Sequence, residues 1–286
     1  MRSTAGRRDD DIVLRPGADG VRLVRDRAYF RAYTLRVGGT DQSYVDLDDP
    51  LRLEFDYLQR MADVVDCAAE PGRPVRVVHV GGAAMTLARY IAATRPHSVQ
   101  LVLEPDAELT AFVRAHLPLP KRSGITVRSV DGCTGVAALP NGHAELLILD
   151  AFVGARVPAE VTTVEFFRDV HRVLADTGIA LINVTDRGPL PYARRVLAGV
   201  ASSFPHCLLC AEPSTLKGRR FGNVIMVGSA GALPVAEIAE RAGSGPYPYR
   251  VLHGTRITQL LSGVAPLAQA DGQLSPEPPR GRTHFE

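Results

Sequence analysis

From residue 75 onward the chain alternates short apolar runs with amphipathic stretches. Continuous apolar runs at 75–80, 99–103, 125–130, 146–149 and 179–184 predict five strands buried on both faces. Apolar positions at helical spacing over 83–93, 106–116, 164–174 and 192–203 predict helices between and after them. Two more runs, 207–211 and 223–227, follow with no helical pattern between them and predict an antiparallel hairpin at one edge. The whole reads as an α/β domain around a mostly parallel seven-stranded sheet. Upstream, residues 21–25, 31–37 and 42–47 predict three short strands, with Gly38-Gly39-Thr40 as a hairpin turn. So few strands cannot cover a core, so this small unit must lean on something else. Asp48-Asp49-Pro50 reads as an acidic cap opening a helix that carries Leu51, Phe55, Leu58, Met61, Ala62 and Val65 on one face. The expected division is 1–11 flexible, 12–50 a small N-terminal β domain, 51–264 the main domain, and 265–286 a disordered tail rich in Pro, Gly and Gln.

Composition narrows the picture only a little. The 286 residues are 45% hydrophobic and carry a formal charge of +2, so no nucleic-acid partner is expected. No uncharged run reaches the roughly 18 residues of a membrane span, and no apolar stretch follows the charged N-terminus, so neither a membrane partner nor a secretory signal is expected. The four cysteines do not make a disulfide framework. Cys207 and Cys210 form a C-x-x-C, but strand spacing sends the two thiols to opposite faces, the wrong arrangement for a shared metal. A reduced, cytoplasmic protein without a metal is the expectation.

In such a sheet, ligands bind beyond the carboxyl ends of the strands, so the residues there carry the chemistry. Gly81-Gly82 after the first strand allows a tight turn and close approach of a ligand, though its spacing is not that of a dinucleotide fingerprint. Glu104 after the second strand is placed to accept both ribose hydroxyls of a nucleoside. Asp131-Gly132 after the third offers a carboxylate to an adenine amino group. Asp150, after the fourth, faces the reacting part of a ligand and can orient and deprotonate an amine. The edge hairpin that closes the series distinguishes a methyltransferase-type sheet from a nicotinamide-type one.

These segments together resemble the spermidine synthase family, the polyamine aminopropyltransferases, in its divergent bacterial branch. The resemblance runs from about Tyr33 to Ser229. Val37-Gly-Gly-Thr-Asp-Gln42 is similar to the family's Gln-bearing hairpin, and Glu54-Phe-Asp-Tyr57 to its Tyr-bearing helix. Glu104, Asp131-Gly132, and Leu149-Asp-Ala-Phe152 followed by Pro158 and Glu165-Phe-Phe167 match its ribose, adenine and catalytic segments. Phe204-Pro205 and Phe221-Gly-Asn-Val-Ile225 resemble its closing segments. The resemblance implies a Rossmann-like S-adenosylmethionine-methyltransferase-type fold and a homodimer. It implies decarboxylated S-adenosylmethionine as co-substrate, bound by Gln42, Gly81, Gly82, Glu104, Asp131 and Gly132. It further implies a small amine as acceptor beside Tyr57, Asp150 as the catalytic base, and methylthioadenosine as the released product.

The departures from the family pattern carry their own expectations. The family's Gly-Gly-Gly-Asp-Gly reads Gly81-Gly82-Ala83-Ala84-Met85 here, and its second aspartate after the catalytic one reads Val153. Losing two charge-assisted contacts implies amine recognition about a hundredfold to ten-thousandfold weaker, unless other groups such as Asp46, Asp48 or Asp49 compensate. Two alternatives stay open. One is a methyltransferase using intact S-adenosylmethionine, with Arg89 near the cofactor's carboxylate. The other is a catalytically impaired nucleoside-binding or scaffold homologue, with Arg187, Arg194, Arg195, Lys217, Arg219 and Arg220 drawing an anionic ligand into the amine cleft.

Overall fold

A computed structural model describes residues 11–17 and 20–279. The expected loose residues 1–10 and the end of the tail, 280–286, lie outside the described residues. The N-terminal unit is an antiparallel meander of four strands rather than three: β1 (Ile12–Arg15), β2 (Val21–Arg25), β3 (Ala32–Val37) and β4 (Thr40–Asp46). The extra strand is only four residues long, too short for alternation to show in the sequence. Gly38 and Gly39 both hold positive φ and link Val37 to its partner Thr40 in a two-residue hairpin, as the sequence predicts. The meander buries Val21, Leu23, Leu35 and Val45 against Ala84, Ala88, Val102 and Phe112 of the main domain. That apolar seam is what the small unit leans on.

The acidic stretch after β4 does not open a helix. Asp46 accepts the N–H groups of Asp48 (2.9 Å) and Asp49 (3.2 Å) and pairs with Arg52 at 3.0 Å, so these carboxylates fold a loop instead. The helix α1 begins later, at Asp56–Ala68.

The main sheet has eight strands. In chain order the elements are β5 (Arg76–Val80), α2 (Thr86–Thr94), β6 (Val99–Leu103), α3 (Ala107–His116), β7 (Ile125–Arg128), α4 (Gly132–Ala137), β8 (Ala144–Leu149), α5 (Val164–Val173), β9 (Leu174–Asp186), α6 (Pro191–Ser203), β10 (His206–Ala211), α7 (Pro213–Leu216), β11 (Gly222–Ser229), α8 (Val235–Ser244), β12 (Arg250–His253) and α9 (Thr255–Leu260). Their order across the sheet is β12-β10-β11-β9-β8-β5-β6-β7. Strands β7, β6, β5, β8 and β9 run parallel, and β11, β10 and β12 are joined by antiparallel pairing. The predicted antiparallel pairing of β10 and β11 is present, but the short helix α7 lies between them where none was expected, and β12 adds an eighth strand that the sequence pattern does not reveal. Apolar clusters cover both faces, as the continuous apolar runs require. Cys207 packs against one cluster and Cys210 lies in the other, on opposite faces of β10 as expected. The strand order reverses between β5 and β8, which sets the crevice at their carboxyl ends.

The expectation of a disordered tail is corrected for 265–279. The Leu267 side chain is 1% exposed and its carbonyl accepts the Val164 N–H at 2.8 Å. Ser275 is fully buried, its hydroxyl accepting the Val157 N–H at 2.8 Å. Asp271 pairs with Arg195 at 2.8 Å. A polar composition predicts disorder from average burial, but here single anchors and satisfied backbone groups hold the strap. No helix among the described residues is long and apolar enough to cross a membrane.

Candidate functional site

A cavity of about 370 Å³ opens at the carboxyl ends of the parallel strands. Gln42, Tyr57, Gly81, Gly82, Glu104, Asp131, Gly132 and Asp150, the residues singled out from the sequence, all line it. They come from the small sheet, α1 and four strand ends, so the fold brings together positions far apart in the chain.

The turn after β5 is built around close approach. Gly81 holds φ +91°, and a Cβ there would run into the Asp150 carbonyl and lie 2.8 Å from Ala151 Cα. Gly82 donates its N–H to Glu104 Oε2 at 3.0 Å, and Ala83 donates to the same oxygen at 3.2 Å. Glu104 Oε1 accepts the Asp106 N–H at 3.0 Å. The carboxylate therefore fixes the turn as well as presenting an acidic edge to the cavity. Ala83 and Met85 hold left-handed φ of 42° and 60°, conformations that glycine adopts without strain. Gly81→Ala is expected to lose about 2–4 kcal/mol of stability. It should also abolish nucleoside binding, with melting curves and calorimetry as the checks.

Asp131 caps α4, accepting the Thr134 N–H at 2.8 Å, and this bond holds its carboxyl below the usual carboxylate range. Gly132 is buried, and a Cβ there would meet the Val80 and Val161 side chains. Gln42 donates to the Gly154 carbonyl at 2.8 Å and ties β4 to the loop after β8.

Asp150 sits one residue beyond β8 with a donor on each oxygen. Asn183 Nδ2 donates to Oδ1 at 2.9 Å, and the Tyr57 hydroxyl donates to Oδ2 at 3.3 Å. Burial pushes the Asp150 carboxyl up, and these two bonds oppose the shift. Burial and the nearby Asp150 charge hold the Tyr57 phenol well above its ordinary value, so it remains a donor. An elevated carboxylate is a stronger base than an ordinary one, and two fixed donors set its orientation. Asn183 was missed by the sequence reading. Its signal was there: one amide inside the otherwise apolar run of β9, whose register sets it beside Asp150.

Several expected contributors lie elsewhere. Asp46 is taken up by Arg52 and its own loop, Asp48 pairs with Arg31 at 2.8 Å, and Asp49 lies 3.5 Å from Arg52. None of the three lines the cavity. Arg89, expected near a cofactor carboxylate in the methyltransferase alternative, does not line the cavity. It is buried and donates to the carbonyls of Ala84 (3.0 Å), Pro118 (3.1 Å) and Leu117 (2.5 Å). Arg194 and Arg195 hold carbonyls of the C-terminal segment, Arg220 pairs with Glu212 at 2.9 Å, and none of the six basic residues lines the cavity. Ala84 is 1% exposed within the seam under the small sheet. Val153 does line the cavity, as an exposed apolar side chain.

The parallel sheet with its reversed edge and the strand-end crevice define a Rossmann-like S-adenosylmethionine-methyltransferase-type fold. Human methyltransferase-like protein 13 shares it with a TM-score of 0.54 at 17% identity, over 73% of this chain and 93% of that one. The spermidine synthase of Thermotoga maritima does so with a TM-score of 0.59 at 14% identity, over 87% and 83%. A probable spermidine synthase from Corynebacterium glutamicum is far more similar: 30% identity and a TM-score of 0.81, over 87% of this chain and 93% of that one. The polyamine aminopropyltransferase of Chromobacterium violaceum is 26% identical over 172 residues, 59% of this chain but only 64% of that relative's length. No protein-family model matches the sequence. The chain belongs to the spermidine synthase, or aminopropyltransferase-like, family as a divergent member.

Proposed function

We propose that the protein transfers an aminopropyl group from decarboxylated S-adenosylmethionine to a small amine, releasing methylthioadenosine. The observation that carries this is Asp150, held by Asn183 and Tyr57 in the same cavity that Glu104, Asp131 and the Gly81-Gly82 turn line. The residues present fit such a co-substrate. The glycine turn packs directly against the Asp150 backbone and the Glu104 side chain at the cavity wall, and Glu104 and Asp131 supply acceptors for ribose hydroxyls and an adenine amino group. The co-substrate brings a sulfonium leaving group next to the carbon that is attacked.

Asp150 orients the acceptor amine and takes its proton, freeing the nitrogen lone pair. The new N–C bond forms as the C–S bond breaks, and the bonding pair goes to sulfur to leave a neutral thioether. Tyr57 and Asn183 fix the carboxylate, so little reorientation is needed when the amine arrives. The same reading makes the protein a cytoplasmic homodimer, and the exposed Phe30, Tyr29 and Leu51 support it by offering apolar surface.

Calorimetric titration tests the reading. The carboxylate of Asp150 disfavours the extra carboxylate of intact S-adenosylmethionine, and Arg15, the one arginine among the described residues that line the cavity, is already paired with Asp106 and Glu108. Tighter binding of the decarboxylated form is the expected result. Equal or reversed preference, or no heat from either, would overturn it.

A further inference from the structure

The loop that follows Asp150 forms one wall of the cavity, and the C-terminal strap grips it from outside. Gly154, Pro158, Glu160 and Val161 line the cavity, whereas residues 155–157 do not. The Val153 N–H donates to the Arg156 carbonyl at 2.9 Å and the Arg156 N–H returns to the Val153 carbonyl at 3.3 Å, closing a tight reverse turn. Gln42 holds one side of that turn, donating to the Gly154 carbonyl at 2.8 Å. Ser275 holds the other side through a single residue. Its hydroxyl accepts the Val157 N–H at 2.8 Å, and its own N–H donates to the Val157 carbonyl at 3.3 Å. Arg156 Nε donates to the Ser275 carbonyl at 2.6 Å, and Arg156 Nη1 lies 3.7 Å from Glu277.

The earlier part of the strap has its own anchors. From α6, Arg195 donates to the carbonyls of Ala265 (3.2 Å) and Pro266 (3.1 Å) and to Gln273 Oε1 (2.8 Å), besides pairing with Asp271. The Gln269 N–H donates to Glu165 of α5 at 3.1 Å. These bonds fix residues 265–273 to two helices, and Ser275 and Glu277 reach past them to the loop. Ser275 and Val157 are both fully buried. If the Ser275 hydroxyl is lost, water cannot replace it at the Val157 N–H, and a buried N–H without an acceptor is costly enough to move the loop. A shift at Val157 passes directly to Pro158 in the cavity wall and, through the reverse turn, to Gly154.

We infer that the strap is a clasp for the cavity wall, with Ser275 and Arg156 as positioning residues that act on the bound co-substrate through the loop 153–158; this rests on the aminopropyl-transfer reading for what fills the cavity. Neither side chain lines the cavity, so neither touches the reacting groups. The clasp holds the wall in place before the ligand arrives, which spares binding the cost of ordering it. A docked strap and an occupied cavity therefore favour each other. If docking tightens co-substrate binding about tenfold, binding tightens docking by the same factor.

The test measures calorimetric affinity for decarboxylated S-adenosylmethionine, and its kcat and KM with 1,4-diaminobutane, on full-length wild type, Ser275→Ala, Arg156→Met and Arg156→Lys. Ser275→Ala and Arg156→Met are expected to weaken binding and raise KM about tenfold with kcat little changed. Arg156→Lys keeps a donor for the Ser275 carbonyl and should restore most of the affinity. Hydrogen exchange separates release of the clasp from a general loss of fold. Amides 153–157 should exchange about tenfold or more faster in Ser275→Ala, while those of β5 and β8 keep the wild-type rate. In wild type the co-substrate should slow exchange of the Ser275 amide, and Arg156→Met should lose that protection. If Ser275→Ala melts early, Arg156→Met carries the comparison. Wild-type affinity in the folded variants overturns the clasp and leaves the transfer reading intact. Binding without turnover overturns transfer, and the clasp is then decided by affinity. If the co-substrate does not bind wild type at all, the transfer reading fails on its own. The clasp is then decided by exchange at 153–157, which must rise in Ser275→Ala and overturns it if unchanged.

Discussion

Asp150→Asn is expected to lower the rate of aminopropyl transfer about 100- to 10,000-fold, the range for removing a positioned general base. The amide keeps the shape of the site. Its oxygen accepts from Asn183 Nδ2 as Oδ1 does now, and its nitrogen donates to the Tyr57 oxygen. The loss therefore falls on the chemistry. Stability is expected to hold or rise, because a buried carboxylate with an elevated pKa gives way to a neutral group. The pH dependence follows from the direction of that shift. A base must be ionised to work, so the wild-type rate climbs as pH rises through the elevated pKa of Asp150, and the variant lacks that limb. For stability the sign is opposite: the folded state holds this proton more tightly than the unfolded one. The Asp150 contribution therefore falls as pH rises from the ordinary carboxylate range to the elevated value. Rate profiles and melting curves on the two proteins check both. A variant retaining most of the activity would remove Asp150 from the mechanism.

The second large effect is structural. Arg89→Met is expected to lose on the order of 2–4 kcal/mol, because one buried guanidinium satisfies the carbonyls of Ala84, Leu117 and Pro118. Burial lowers the Arg89 pKa to about 10, which still leaves it charged at neutral pH. By joining the turn after β5 to the end of α3, it acts on the cavity only through the backbone. Chemical denaturation should show the loss, whereas the preference for decarboxylated over intact S-adenosylmethionine should not change. A selective loss of affinity for the intact form would restore Arg89 as a carboxylate ligand, and methyl transfer with it.

Much of this was legible because parallel strands buried on both faces leave unbroken apolar runs, and a ligand crevice at their carboxyl ends makes the next residue informative. Glu104, Asp131 and Asp150 are each read from that rule, and the cavity gathers all three. What escaped depends on contacts between distant segments. Asp48-Asp49-Pro50 carries a cap's composition, but the Asp46 carboxylate and Arg52 settle it as a loop. The strap at 265–279 looks disordered by composition and is held by Leu267, Ser275 and Asp271 against α5, α6 and the loop after β8. The four-residue β1 and β12 are too short to show a period.

The most direct measurement of the central claim is product analysis by mass spectrometry. Purified protein, decarboxylated S-adenosylmethionine and 1,4-diaminobutane are incubated together, and both products are followed. Methylthioadenosine and an aminopropylated diamine should appear in equal amounts, at a rate that collapses with Asp150→Asn. Binding of the co-substrate without either product, or methylthioadenosine without the aminopropylated amine, would contradict aminopropyl transfer.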